Sequence, residues 1–195
     1  MRTAEIKRAT KETDITLSLN LDGSGKTAIA TGVGFFDHML DALCRFALMD
    51  MTLTVKGDTW VDAHHTVEDA GICIGQTIRA ALGDRAGIRR VGSAYLPMDE
   101  ALAFAAIDIG GRPYLAWNAE FTGPMCGQMD TQLAEEFFRA VCVHGGLTLH
   151  MKLLDGRNDH HRMEALFKAF GLALRDAASL DPRVTGVLST KGSLD

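Results

Sequence analysis

Two adjacent histidines followed by a glutamate occur twice in this sequence. The first segment reads DAHHTVED and begins at Asp62, and the second reads NDHHRMEA and begins at Asn158. On a helix, residues three positions apart lie on one face, so an imidazole and a carboxylate at that spacing can bind the same metal ion. The repeated pattern therefore predicts metal chemistry. A bland alternative is a pair of exposed helix starts whose histidines and glutamates bind nothing.

The doublets predict two metal sites with related ligands. We expect two ligand sets, the first formed by His38, His65 and Glu68 and the second by Glu136, His161 and Glu164. The leading histidines, His64 and His160, are rotated by about 100° from their neighbours, and each would cross over to complete the other site. Imidazole and carboxylate ligands without sulfur favour Mn²⁺ or Fe²⁺, and Zn²⁺ stays possible.

Sequence similarity between the two halves extends beyond the histidines. At an offset of 96 residues the first half of the chain matches the second at several further positions, among them Gly75 with Gly171, Arg79 with Arg175 and Ala81 with Ala177. With a drifting offset, His38 lies opposite Glu136 and Glu12 lies opposite Glu100. We therefore interpret the chain as two repeats, residues 1–92 and 93–195, and the second includes a C-terminal tail.

Each repeat shows the same succession of strand and helix patterns. In the first repeat, DITLSLNLDG and MTLTVKG predict strands, TAIATG a less regular strand, and helices are expected from about His38 and from about Thr66. The second repeat carries apolar residues at helical spacing after its doublet. This pattern predicts an α+β fold with an internal duplication, in which each half packs helices on one face of a mainly antiparallel sheet.

Composition restricts the class of protein. The chain has 195 residues, 47% of them hydrophobic, and a net charge of −5, which argues against a broad nucleic-acid surface. No apolar run is long enough to span a membrane, and the first residues lack a secretory signal, so we expect a cytoplasmic protein. The four cysteines form no CxxC pair and are expected to be buried thiols.

Several motifs together resemble one known family. They are RATKET (8–13), LNLDGSGK (19–26), TGVGFFDHMLD (31–41), DAHHTVED (62–69), LPMDEAL (96–102), GGRPYL (110–115), NDHHRMEALFKAFGLALR (158–175) and STKG (189–192). In this order they resemble the imidazoleglycerol-phosphate dehydratases of histidine biosynthesis, over essentially the whole chain.

The resemblance implies a lyase that dehydrates D-erythro-imidazole-glycerol phosphate to imidazole-acetol phosphate. It further implies two Mn²⁺ ions that bind the substrate as an imidazolate, and a homo-oligomer of 24 chains built from trimers, with active sites between chains. The acid/base role maps onto Glu12, whose carboxylate would carry the carbon-bound proton. A partner other than this small phosphorylated substrate and further copies of the chain is not expected.

The same resemblance supplies residues for the phosphate group. These are Arg90, Arg112, Lys168, Ser189 and Lys191, and the last two place substrate binding in the C-terminal tail of the second repeat. Arginine suits phosphate because its planar guanidinium can donate two parallel hydrogen bonds, and lysine adds a compact charge. The chain departs from the family at Glu136, where a histidine is common, and His150 is a candidate substitute ligand.

Two other functions fit part of the sequence. A dimetal hydrolase would use a metal-bound hydroxide and would have no special need for an imidazole substrate. A metal-storing or structural shell protein would need neither Glu12 nor the phosphate-binding residues. The combination of two HHxxE segments with cations in distant motifs favours the dehydratase.

Overall fold

The computed structural model of the chain describes residues 1–194. Its elements follow the same order in both halves, with one additional hairpin in the second. The first half contains β1 (Thr3–Ala9), β2 (Thr13–Asn20), β3 (Thr27–Ala30), α1 (Gly34–Ala47), β4 (Asp50–Gly57) and α2 (His64–Leu82). The second half contains β5 (Val91–Met98), β6 (Ala101–Asp108), β7 (Tyr114–Asn118), β8 (Met125–Cys126), β9 (Met129–Asp130), α3 (Leu133–Gly145), β10 (Thr148–Asp155) and α4 (Asp159–Ala178).

The two main sheets have the same topology. The strand orders are β1-β2-β4-β3 and β5-β6-β10-β7. In each sheet the last strand pairs in parallel with its neighbour and all other pairs are antiparallel. The hairpin of β8 and β9 is the additional element of the second half. The predicted α+β fold with an internal duplication is therefore confirmed.

Three details differ from the sequence-based prediction. The N-terminal strand β1 was not predicted, because its inward-facing positions carry few large apolar residues besides Ile6. Helix α1 begins at Gly34 instead of His38, and α2 begins at His64 instead of Thr66. The proposed boundary between residues 92 and 93 falls inside β5, and residue 195 lies outside the described residues.

The four helices lie between the two sheets and pair across the repeats. Helix α1 packs on α4, and α2 packs on α3. Each of α2 and α4 also packs on its own sheet. The core is continuous between the halves, and the rings of Phe137 and Phe167 stack at its centre with centroids 5.2 Å apart. Because each pair contains one helix from each half, side chains from one repeat lie next to side chains from the other.

Equivalent glycines allow these helix pairs to approach closely. A Cβ added at Gly75 on α2 would lie 2.7 Å from the backbone oxygen of Val141 on α3. A Cβ added at Gly171 on α4 would lie 2.5 Å from the backbone oxygen of Leu43 on α1. Both distances are too short for nonbonded carbon and oxygen, and the clashing atoms belong to backbone that cannot rotate away. The repeat thus places glycine at the same contact in both pairs.

Replacing Gly171 with alanine is therefore expected to destabilise the protein. Overpacking of this kind costs about 1–3 kcal/mol, and each kcal/mol lowers the melting temperature of a chain of this size by about 2–4 °C. The matched control is Gly34→Ala, since a Cβ added at Gly34 meets nothing within 4 Å. Thermal unfolding followed by circular dichroism measures both. Equal melting temperatures for the two variants would show that the helices can separate without cost.

The cysteines agree with the expectation of buried thiols. All four cysteines are buried and free, and burial raises the pKa of the Cys73 thiol to about 11. Among residues 1–194, none of the helices combines the length and the apolar composition that crossing a bilayer requires.

Candidate metal centre and active site

Each histidine doublet occupies the first turn of a helix. The backbone N–H of His64 donates to the Asp62 carboxylate at 2.7 Å, and the N–H of His160 donates to the Asn158 side chain at 2.9 Å. Such acceptors satisfy backbone donors that have no partner in the first helical turn. Asp62 and Asn158 occupy equivalent positions of the repeat, so the backbone amide of the first histidine has a side-chain acceptor in both doublets.

One potential metal-binding cluster is formed by His38, His160 and Glu164. Their potential ligand atoms all lie within 4.8 Å of one another. The Glu164 Oε2 atom is 3.2 Å from the Nε2 atom of His160 and 3.5 Å from that of His38. His38 comes from α1 and the other two from α4, so the packing of α1 on α4 creates the cluster. Within one chain, His38 therefore does not group with His65 and Glu68 as predicted.

In each doublet, the histidine that lies beside the glutamate is the first one and not, as had been predicted, the second one. The leading histidine shares a face with the glutamate four positions later, because His64 Nε2 lies 3.5 Å from Glu68 Oε2 and His160 repeats this arrangement with Glu164. The expected pairs of His65 with Glu68 and His161 with Glu164 are not formed. Spacings of three and four residues both place side chains on one helix face, so the spacing alone cannot choose between them.

The counterpart of the cluster lies in an open cleft. His64 and Glu136 both line this cleft, whose volume is about 790 Å³, together with residues of the β8–β9 hairpin. Helix α3 carries Glu136 to the start of α2, as α1 carries His38 to the start of α4. The Glu136 carboxylate is 3.7 Å from the Arg139 guanidinium. His150, the candidate substitute ligand, lies on β10 beside the Tyr114 ring and does not line this cleft.

The second histidine of each doublet is held by a carboxylate through its Nδ1 atom. For His65 this partner is Asp58, with Oδ2 at 3.0 Å, and for His161 it is Glu100, with Oε2 at 2.8 Å. These hydrogen bonds raise the pKa of both imidazoles. The hydrogen bonds from His161 and from two backbone amides lower the pKa of Glu100 to about 2. The sequence-based prediction gave neither carboxylate a role, since neither lies in an HHxxE segment.

Glu12 lies at the turn between β1 and β2, and its carboxylate points toward His65. Its Oε1 atom is 3.8 Å from His65 Nε2, and its side chain is 54% exposed. Among residues 1–194 its carboxylate accepts no hydrogen bond. A free carboxylate next to a predicted ligand is suitably placed to transfer a proton.

Lys168 lies beside the metal-binding cluster. Its Nζ atom is 2.6 Å from Glu164 Oε1, and its side chain covers the Phe46 ring. Burial opposes ionisation of Glu164, but the Lys168 ammonium and the neighbouring imidazoles outweigh it and lower the pKa of the carboxyl. Glu164 therefore presents one oxygen to Lys168 and the other to the two histidines.

The other four predicted phosphate-binding residues line a separate cleft. Arg90, Arg112, Ser189 and Lys191 surround a volume of about 620 Å³ between the second sheet and the C-terminal segment, and Lys168 is not among the residues that line it. Arg90 is committed to a two-point ion pair with Asp108, at 2.6 and 2.9 Å. Within residues 1–194, no acceptor binds the side chains of Arg112 or Lys191, so their donors are available to an anion.

The donor set of the cluster suits a divalent ion. Two imidazole nitrogens and one carboxylate oxygen converge, while the buried cysteines are elsewhere. Nitrogen and oxygen donors without thiolate suit Mn²⁺, Fe²⁺ or Zn²⁺. Three protein ligands leave positions for another ligand and for substrate. The residues of this cluster therefore fit a divalent ion of the kind implied by the sequence motifs.

Comparison with known proteins agrees with the geometry. The profile of the imidazoleglycerol-phosphate dehydratase family matches residues 31–174. The dehydratase of an Exiguobacterium species is 58% identical over the full length of both chains, and that of Acetivibrio thermocellus is 57% identical over 99% of each. The crystal structure of the Staphylococcus aureus enzyme superposes with a TM-score of 0.84 at 39% identity, and covers 92% of this chain and 99% of that one. The chain therefore belongs to the imidazoleglycerol-phosphate dehydratase family of histidine biosynthesis and is a hydro-lyase.

Proposed function

We propose that the chain dehydrates D-erythro-imidazole-glycerol phosphate to imidazole-acetol phosphate at a site with two Mn²⁺ ions. The observation that carries this proposal is the convergence of the His38, His160 and Glu164 ligand atoms within 4.8 Å. The second ion would be held by the counterpart residues His64, Glu68 and Glu136. His65 and His161 would complete the two sites through Nε2, in place of the exchange predicted from the sequence.

The chain's own residues can divide the reaction between them. The ions, when bound, would polarise the imidazole ring and make its N–H easier to lose. Glu12 would accept the proton from carbon, since its carboxylate is free and lies beside His65. The hydroxyl group on the adjacent carbon would take up a proton and leave as water. Arg112 and Lys191, with Ser189 and Arg90, would bind the phosphate group and position the substrate. Oriented binding of this kind reduces the entropy cost of reaching the transition state.

We infer that the active site is completed by another copy of the chain. His65 and His161 point away from the ligand clusters of their own chain and toward Asp58 and Glu100. The cleft with His64 and Glu136 shares no lining residue with the cleft of Arg112 and Lys191. Contact between copies would bring these groups together, which supports a homo-oligomer, with 24 chains built from trimers as the proposed form. Lys168 would then reach the phosphate from the neighbouring copy.

We also propose that the protein works in the cytoplasm, because four free, buried thiols suit a reducing compartment. No feature of the described residues points to nucleic acid or membrane as a partner.

Metal removal is expected to abolish turnover. Protein stripped with a chelator should form no imidazole-acetol phosphate, and adding Mn²⁺ should restore the activity because the ligand set is intact. A magnesium-supplemented sample is the control, since imidazole ligands suit Mn²⁺ better than Mg²⁺. Full turnover by metal-free protein would contradict the metal proposal. Folded, Mn²⁺-loaded protein that forms no product, but hydrolyses a phosphoester, would favour the hydrolase instead.

A further inference from the structure

The two repeats orient the second histidine of each doublet with carboxylates from different places in the fold. Asp58 follows β4, whereas Glu100 lies in the turn that precedes β6. At the offset of 96 residues, the counterpart of Asp58 is Leu154, which has no carboxylate. The counterpart of Glu100 is the turn residue Glu12. The duplication therefore preserved the histidine and its orientation but exchanged the group that holds it.

Both carboxylates bind the same ring nitrogen. Asp58 lies at 3.0 and 3.2 Å from Nδ1 of His65, and its side chain is only 10% exposed. Glu100 lies at 2.8 Å from Nδ1 of His161. A carboxylate accepts, so each ring carries its proton on Nδ1 and leaves the Nε2 lone pair free. In both histidines the unprotonated Nε2 atom faces away from the carboxylate that binds Nδ1.

The exchange leaves Glu12 and Glu100 with different surroundings. Glu100 accepts hydrogen bonds from His161 and from the backbone N–H groups of Arg157 and Asn158, at 3.1 and 2.8 Å. The Glu12 carboxylate accepts none among residues 1–194, and its nearest ring nitrogen is His65 Nε2 at 3.8 Å. Without Asp58, the Nδ1–H of His65 would lack an acceptor, and Glu12 is the nearest other carboxylate to that ring.

We propose that Asp58 is a positioning residue for this active site. It holds His65 with Nε2 free to bind a metal ion, and it leaves Glu12 unengaged for proton transfer. Glu100 performs the first of these tasks for His161 and is thereby unavailable for proton transfer. This explains why one of two equivalent glutamates can act as the acid/base group, and it rests on the proposed function of Glu12 and the two ions.

The test compares Mn²⁺ affinity in two variants. Removing the hydrogen-bond partner of a metal-binding histidine typically weakens metal binding by about 10–100-fold. Asp58→Ala should lower the affinity for one of the two ions bound per chain by about that factor and leave the affinity for the other unchanged. Glu100→Ala should lower the affinity for the other ion. Equilibrium titration with Mn²⁺, in which electron paramagnetic resonance reports the free ion, measures both affinities without using turnover.

Two further variants keep the test decisive. Asp14→Ala removes an exposed carboxylate of β2 and should bind both ions with unchanged affinity. Asp58→Asn retains an oxygen acceptor in nearly the same volume, so its affinity should lie between those of the parent chain and Asp58→Ala. If Asp58→Ala fails to fold, Asp58→Asn decides, with an expected weakening of one ion by about 10-fold.

The outcomes separate this inference from the proposed function. Unchanged affinity for both ions in the Asp58 variants, with a parent chain that binds two ions and turns over, would overturn the positioning role alone. A parent chain that binds no Mn²⁺ would contradict the proposed function itself, on which this inference rests. Equal weakening of both ions by Asp58→Ala would indicate a general structural effect and would also overturn the inference.

Discussion

Replacing Glu12 with glutamine is expected to lower kcat by about 10²–10⁴-fold, the usual contribution of a general acid or base. The amide has the same size but cannot accept the carbon-bound proton. Because the carboxylate makes no hydrogen bond to other residues of the described chain, folding and Mn²⁺ binding should be unchanged. Steady-state kinetics with imidazole-glycerol phosphate measures the effect, and KM should change far less than kcat.

The control for this variant is Glu5→Gln. Glu5 is an exposed carboxylate of β1, and its side-chain contact is a 3.3 Å hydrogen bond from Ser18. The Glu5→Gln variant should therefore have the activity, the melting temperature and the metal content of the parent chain. A Glu12→Gln enzyme with more than about a tenth of the parent kcat would assign the proton transfer to another group.

Replacing His160 with alanine is expected to remove one metal ion per chain and nearly all activity. The loss leaves only His38 and Glu164 of the cluster, and Glu164 then keeps its ion pair with Lys168. The weakening of metal binding should exceed the roughly 10–100-fold that follows when a ligand only loses its hydrogen-bond partner. Metal analysis of protein after gel filtration gives the number of ions per chain.

His150→Ala is the matched control, because His150 lies beside Tyr114 on β10 and away from the cluster. It should retain both ions and full turnover. Two ions in His160→Ala would show that this histidine is not a ligand. Mixed oligomers of His160→Ala and His65→Ala chains add a test of shared sites. If His65 serves a neighbouring copy, about a quarter of the sites should combine an intact His160 from one chain with an intact His65 from another.

Local sequence was sufficient for most of the helices and strands of this fold. Apolar residues at a spacing of two or of three and four predicted strands and helices, because each element must bury one face. The repeat at an offset of 96 residues indicated that the elements occur twice in the same order. It could not reveal β1, whose apolar face is weak, or place the start of α1 at Gly34. Those boundaries depend on packing that forms only in the folded chain.

The sequence by itself determined which residue types recur and therefore which chemistry the protein can carry. Two HHxxE segments, Glu12 and the cations of distant motifs are visible without a structure. Only the tertiary structure decided that His160 and Glu164 meet His38, because α1 packs on the helix of the other repeat. It also decided that Asp58 and not Glu12 holds His65. Helical spacing defines a face, but the partner of that face is set by contacts between residues far apart in the chain.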